Sequence, residues 1–342
     1  MPGCIIRKCP MGMMIRDHRH LKLAVAEMWQ HRNLLACCLY PLSLVYRSIM
    51  STRRFCYQTG LARVHESPVP TIVIGNLSVG GTGKSPLVMA VAELLVSQNR
   101  RPGIIARGYG ATDLKTTKIV WPGDTANTVG DEALMMSRRG TCPVVVCPDR
   151  VAARSRLLQQ SDIDVVLSDD GLQHLALGRT CSISVVDGQR RWGNGFCLPA
   201  GPLREPVRQH LEADIRLARD QAEGDEFRFY IQPHHWVNVI TPEQQRPLES
   251  FHRQTCHAVA AIGQPQRFFE MLHRLGIDFK PHPFPDHHDF DSRDLEFTDD
   301  QPILMTEKDA VKCQDFKLRN SWYLHVDAVI DEDFFRQLDN FL

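Results

Sequence analysis

Residues 78–85 read Ser78-Val79-Gly80-Gly81-Thr82-Gly83-Lys84-Ser85. This is G-x-x-x-x-G-K-S/T with Ser78 in place of the first glycine. Glycines let the backbone curl until successive N–H groups point at a phosphate. Lys84 adds a positive charge for the β- and γ-phosphates of a nucleotide, and the Ser85 hydroxyl stands where Mg²⁺ would be held. A plain glycine-rich turn has a similar composition. What separates the two is context, a strand before the loop and a helix after it. Thr71–Ile74 is a short β-branched run and Leu87–Leu95 reads as a helix, so the context is met.

Outward from this loop the chain alternates strand and helix. Gly103–Ala106, Val144–Cys147, Asp164–Leu167 and Ser182–Val186 are apolar runs of strand length. Phe227–Ile231 and Trp236–Ile240 resemble a hairpin joining two domains. A second series follows: His257–Ile262 then Pro265–Leu275, Ile303–Met305 then a short helix, and Tyr323–Val326 then Asp331–Leu342. The expected fold is α/β, a P-loop NTPase-type doubly wound, mostly parallel sheet with a second, smaller α/β domain. Expected boundaries are a disordered extension over 1–28, an amphipathic helical segment over 29–66, the P-loop domain over 67–222 and the second domain over 223–342.

The 342 residues carry 40 Lys+Arg against 40 Asp+Glu, and 43% are hydrophobic, which excludes disordered, collagen-like and coiled-coil classes. No uncharged apolar run approaches the ~20 residues of a spanning helix, which excludes a polytopic membrane protein. The eleven cysteines are odd in number and contain no C-x-x-C, so they read as reduced thiols rather than a disulfide framework or zinc site. Zero net charge hides an asymmetry. Residues 1–65 hold ten basic side chains and only Asp17 and Glu27 as acids. Within them Leu34–Tyr46 is uncharged, and Leu35, Leu39, Leu42, Tyr46 and Ile49 fall on one helical stripe, with Ser43, Arg47 and Arg54 opposite. Pro41 would kink that helix. It could pack on the protein's own core, but the surrounding positive charge favours reversible attachment to an anionic membrane surface. Nothing points to nucleic acid.

A second acidic signal supports the phosphate loop. Asp164-Val165-Val166-Leu167-Ser168-Asp169-Asp170 is an apolar strand ending in carboxylates, as needed to hold Mg²⁺ opposite Ser85. One of Asp169 and Asp170 would take the metal and the other a hydrogen-bonding or bridging role. Guanine readers use Asn/Thr-Lys-x-Asp, and Thr306-Glu307-Lys308-Asp309 has the wrong spacing, so ATP is the expected nucleotide.

Seven ordered motifs then carry a resemblance: the loop from Gly75 to Pro86, Arg107-Gly108-Tyr109-Gly110, Gly130-Asp131-Glu132, Asp169-Asp170-Gly171-Leu172-Gln173-His174, Gly201-Pro202-Leu203-Arg204-Glu205-Pro206, Phe284-Pro285-Asp286-His287-His288 and Thr306-Glu307-Lys308-Asp309-Ala310. From about Trp29 onward the chain resembles the tetraacyldisaccharide 4'-kinase family of lipid A biosynthesis. The resemblance implies a peripheral kinase with an N-terminal membrane-associating helix, on the cytoplasmic face of a Gram-negative inner membrane. It implies transfer of the ATP γ-phosphate to the 4'-hydroxyl of a tetraacylated glucosamine disaccharide 1-phosphate. A monomer is expected.

Carried across by position, Asp131 resembles the catalytic base and His287 its assistant. Glu205 with Asp169 or Asp170 resembles the Mg²⁺-associated acids. Glu132, Gln173 and His174 line the site. Each has a plainer alternative. Asp131 could be a helix N-cap, Asp286-His287-His288-Asp289 a metal cluster, His174 an anchor for the turn after its strand, and Arg107 either a phosphate contact or half of a structural ion pair. Two rival functions also fit the loop: a kinase of a soluble sugar, and a nucleotide-switched membrane adaptor without catalysis.

Overall fold

The computed structural model describes residue 25 and residues 27–342 apart from 113 and 317. Most of the extension expected over 1–28 lies outside the described residues. Its end is anchored: Met28 is buried and its carbonyl accepts from Asn194 Nδ2 at 3.4 Å.

Among the described residues one sheet of thirteen strands forms the core. The strands are β1 (Thr71–Asn76), β2 (Pro102–Ala106), β3 (Lys118–Val120), β4 (Val144–Val146), β5 (Val165–Asp169), β6 (Cys181–Asp187), β7 (Ile215–Arg219), β8 (Phe227–Asn238), β9 (Gln245–Pro247), β10 (Thr255–Ala260), β11 (Asp278–Pro283), β12 (Ile303–Thr306) and β13 (Ser321–Ile330). Their order is β11-β10-β12-β13-β8-β7-β6-β1-β5-β2-β4-β3, with β9 on β8. Pairing is parallel except at β3/β4, β8/β13 and β8/β9. Helices cover both faces, so β1, β2 and β5 are buried along their whole length. That is why they read as unbroken apolar runs. The helices are α1 (Leu34–Gln58), α2 (Lys84–Ser97), α3 (Ala126–Val129), α4 (Asp131–Arg139), α5 (Arg150–Gln160), α6 (Arg208–Leu211), α7 (Pro265–Arg274), α8 (Glu307–Ala310) and α9 (Glu332–Asp339).

The expected hairpin at 227–240 is a correction. Phe227–Asn238 is one strand, β8, parallel to β7 and antiparallel to β13. Pro233 falls between the two expected runs, but the ladder absorbs it at a register shift opposite His325 and Val326. The hairpin present is β8–β9. The sheet therefore runs without a break past 222/223, and β8 is the strand where its direction changes.

α1 is a 25-residue helix with Pro41 inside it, longer than the apolar run alone suggests and, by length and composition, able to cross a membrane. Its body-facing side is polar. Ser43 Oγ donates to Cys197 O at 2.8 Å, Tyr46 Oη to Arg204 O at 2.9 Å, and Arg54 Nη2 to Glu205 at 2.6 Å. Leu34, Leu35, Leu42, Val45, Ile49 and Phe55 are exposed. Tyr46 therefore belongs to the protein-facing side rather than to the apolar stripe.

Candidate active site

β1 ends at the point where the strand order turns, between β5 and β6, which is where doubly wound sheets open a crevice. The loop from Leu77 leads into α2. Gly80 (φ +115°) and Gly83 (φ +82°) adopt backbone conformations that residues with a Cβ rarely take. Val79 N donates to Pro202 O at 2.8 Å, fixing the loop to the segment that carries Arg204 and Glu205. Lys84 Nζ donates to Asn76 Oδ1 at 2.9 Å and stands 3.4 Å from Asp170 Oδ1.

The two acids at the end of β5 are shifted in opposite directions. Burial pushes both carboxyls up. For Asp169 the negative charge of Glu132 adds to this and its pKa reaches about 7. For Asp170 the charges of Lys84 and Arg204 outweigh burial and hold it well below the usual carboxylate range. Arg204 Nη1 donates to Asp170 Oδ2 at 2.8 Å. Asp169 Oδ1 is buried without a hydrogen-bond partner, and Arg150 Nη2 holds the Asp169 carbonyl at 2.8 Å. An orphaned buried carboxylate oxygen facing a phosphate loop, with the Ser85 hydroxyl on the same wall, suits a hard divalent cation.

A cavity of about 410 Å³ lies over the loop, with Arg107, Glu132, Asp169, Asp170 and His287 in its wall. Its other side is apolar, formed by Phe268, Met271, Leu324 and Val326 from α7 and β13. The loop after β10 closes against the phosphate loop: Gln264 Nε2 donates to Gly81 O at 2.7 Å.

Asp131 is the first residue of α4, after the N-cap Gly130, so it is not the cap. It is buried behind the lining side chains, and His287 Nδ1 lies 2.9 Å from its Oδ2 and 3.1 Å from its Oδ1. Burial raises its pKa, but the His287 hydrogen bond and the charges of Lys308 and Lys312 outweigh that and leave it below the ordinary value. His287 has φ +58°, and Tyr109 packs on its ring at 4.4 Å. His288 turns the other way, to Asp294 at 2.9 Å. Among the described residues no three His, Cys, Asp or Glu side chains form a metal cluster, so the cluster reading of 286–289 has no geometric support.

Glu205, Gln173 and His174 stand outside the cavity wall. Glu205 is buried with both oxygens engaged, Oε1 by Arg54 at 2.6 Å and Oε2 by Gln173 Nε2 at 3.0 Å. The His174 backbone closes the turn after β5, its N–H donating to Gly171 O and its carbonyl accepting from Leu177 N. Its imidazole is pushed down to about 4 by burial and by Arg150, Arg107 and Arg53. Arg107 is exposed in the cavity wall and, among the described residues, makes no ion pair.

Sequence reasoning passed over the roles of Arg150, Arg204 and Lys308. Arg204 and Lys308 lie inside motifs it quoted. Arg150 carries no local signal, and neither does the apolar wall, which is assembled from a helix and a strand about fifty residues apart.

Three comparisons bear on this geometry. The family described as Tetraacyldisaccharide-1-P 4'-kinase (LpxK) matches residues 35–342. The chain is 46% identical over 314 residues to the tetraacyldisaccharide 4'-kinase of Nitrosococcus oceani, covering 92% of this chain and 93% of that one. It is 42% identical over 326 residues to that of Hahella chejuensis, covering 92% and 95%. The crystal structure of an "apo" form of LpxK from Aquifex aeolicus in complex with ATP superposes with a TM-score of 0.76 at 28% identity, covering 90% of this chain and 99% of that one.

Proposed function

The chain belongs to the tetraacyldisaccharide-1-P 4'-kinase family, and on that premise we propose how its residues carry out the reaction. It is an ATP-dependent kinase that transfers the γ-phosphate to the 4'-hydroxyl of a tetraacylated glucosamine disaccharide 1-phosphate. The loop of residues 78–85 cradles the ATP phosphates, and the apolar wall of Phe268, Met271, Leu324 and Val326 takes the adenine. Lys84 balances charge on the transferring phosphoryl group. Asp131 accepts the proton of the 4'-hydroxyl as its oxygen bonds to the γ-phosphorus and the bond to the leaving ADP oxygen breaks. His287 orients Asp131, and Arg107 takes a phosphate oxygen.

Ser85, Asp169 and Asp170 are the residues that would hold Mg²⁺, which when bound neutralises charge on the phosphates. Glu205 serves that set indirectly, through Gln173 and the Asn76 carbonyl at 3.3 Å. Glu132, Gln173 and His174 line the approach for the sugar. α1 lays its exposed leucines into the cytoplasmic face of the inner membrane, where four acyl chains keep the substrate, and the attachment is peripheral. The working unit is proposed to be a monomer.

The observation that carries this reading is the Asp131–His287 pair, drawn from positions 156 residues apart to the edge of the phosphate-loop cavity. The test is transfer from γ-labelled ATP to tetraacyldisaccharide 1-phosphate in mixed micelles with Mg²⁺. The wild type yields labelled lipid, Lys84→Ala almost none, and Asp131→Asn at least about 10²-fold less than wild type with ATP still bound. Full turnover by Asp131→Asn would refute the base assignment. ATP binding without lipid product would favour the adaptor reading.

A further inference from the structure

Lys308, the second residue of α8, makes contacts that decide where a proton sits. Its ammonium lies 3.0 Å from Glu132 Oε1, 3.3 Å from Asp286 Oδ1, 3.3 Å from His287 Nε2 and 3.9 Å from Asp131 Oδ2. An ammonium has three protons and no lone pair, so it only donates. The ring nitrogen facing it must therefore accept, which leaves Nε2 bare. The proton of a neutral imidazole is then on Nδ1, where the Asp131 carboxylate accepts it at 2.9 Å. We propose that Lys308 is a positioning residue that locks His287 in the neutral Nδ1–H tautomer and so keeps Asp131 ionised and oriented for the transfer. This rests on Asp131 being the base.

The other neighbours of His287 are consistent with the lock. Asp286 Oδ1 lies 3.7 Å from Nε2 and would favour a proton there, but that oxygen is itself 3.3 Å from the Lys308 ammonium. The Tyr109 ring packs tilted against the imidazole, at 4.4 Å between centroids. Lys308 stays charged, because Glu132, Asp131 and Asp286 outweigh its burial and raise its pKa. Its own position is fixed from the adjacent residue. Glu307 holds Arg139 at 3.0 and 2.6 Å. α8 therefore grips α4 at both ends, with Glu307 on Arg139 and Lys308 on Glu132. A second proton on His287 would put two cations 3.3 Å apart, so a proton taken from the sugar hydroxyl stays on Asp131 instead of passing to Nε2.

The experiment is two-dimensional NMR of the full-length, ¹⁵N-histidine-labelled protein in detergent micelles, with His287→Gln assigning the resonances, beside pH–rate profiles of Lys308→Met and Lys308→Arg. In the wild type, Nε2 of His287 should resonate as an unprotonated nitrogen at neutral pH. In Lys308→Met, His287 should titrate at least about one pH unit higher. The acid limb of kcat should move up with it, and Lys308→Arg, which also only donates, should restore both. A protonated Nε2 in the wild type, or a His287 titration unmoved in Lys308→Met, overturns the lock; the wild-type spectrum decides even if Lys308→Met does not fold. Full activity in Asp131→Asn with the expected tautomer present overturns the positioning role through the base assignment, and the spectrum tells the two failures apart.

Discussion

Arg54, near the end of the N-terminal helix, holds the buried carboxylate of Glu205 at 2.6 Å. The other Glu205 oxygen takes the Gln173 amide at 3.0 Å, that amide also donates to the Asn76 carbonyl at 3.3 Å, and the Asn76 side chain receives Lys84 at 2.9 Å. A helix that carries the exposed leucines is thus joined by hydrogen bonds to the phosphate-loop lysine. Arg54→Ala leaves a buried carboxylate oxygen without its donor, which costs about 1–3 kcal/mol. Urea unfolding should show that loss, and Glu205→Gln in the Arg54→Ala background should recover part of it by removing the stranded charge. An unchanged midpoint in Arg54→Ala would mean that the pair is a loose surface contact.

α1 presents a different face to solvent. Leu42 is 57% and Ile49 61% exposed, while Ser43 between them is tied to Cys197 O. Burying each such side chain in the acyl boundary contributes about 1.5–3 kcal/mol. Leu42→Ser with Ile49→Ser should therefore lower partitioning onto anionic vesicles at least tenfold in a sedimentation assay. Thermal stability should stay the same, because neither side chain packs on the body. A loss of stability without a loss of vesicle binding would place the stripe against protein instead.

How far these features could be read beforehand depended on whether their residues lie close together in the chain. The phosphate loop and its flanking elements were legible because glycines, lysine and hydroxyl fall within eight residues. The acid pair was legible because an apolar run ends on it. Arg150 and Arg154 were not. On the sequence of α5 they look like a solvated face, yet they are 2% and 3% exposed, their guanidinium groups donating to the backbone carbonyls of Cys147, Asp169, Gly178 and His65. The runs 227–231 and 236–240 suggested a hairpin because the partner strand that makes them one strand, β13, lies some ninety residues downstream. The tie between Asp131 and His287 came from the family resemblance, not from spacing, which offered only a cap.

Asp169 predicts a pH dependence whose sign follows from its burial. An unfolded aspartate titrates near 3.9, whereas burial and Glu132 raise the folded value to about 7. The folded state therefore keeps a proton that the unfolded chain gives up. Between about pH 4 and pH 7 this group costs stability as pH rises, by at most about 1.4 kcal/mol per pH unit, and above pH 7 the loss is complete. In nucleotide-free, metal-free protein, Asp169→Asn should flatten the fall in melting temperature between pH 5 and pH 7.5 and be more stable than wild type at pH 8. Its kinase activity should drop sharply if Asp169 holds Mg²⁺ as proposed, since the amide lacks the negative charge a bound cation would draw on. A wild-type and mutant difference that does not vary with pH would contradict the raised pKa.

Gly263 tests the contact between the two halves of the cleft. A Cβ there would lie 2.9 Å from Gly81 N and 3.3 Å from Asp286 Oδ2. The first is backbone of the phosphate loop and cannot swing aside as a side-chain tip would. Its backbone has no positive φ, so an alanine is not strained in itself and its effect is steric. Gly263→Ala should push the loop after β10 off the phosphate loop and lengthen the Gln264–Gly81 bond of 2.7 Å. Overpacking of this kind costs about 1–3 kcal/mol. If most of it falls on the closed, nucleotide-holding arrangement, KM for ATP rises about tenfold or more while the unfolding midpoint changes little. Gln264→Ala removes one hydrogen bond without the clash and should raise KM by less. Equal KM values for wild type and Gly263→Ala would show that ATP is held without this contact, and that the apolar wall on α7 and β13 engages the base independently of the loop.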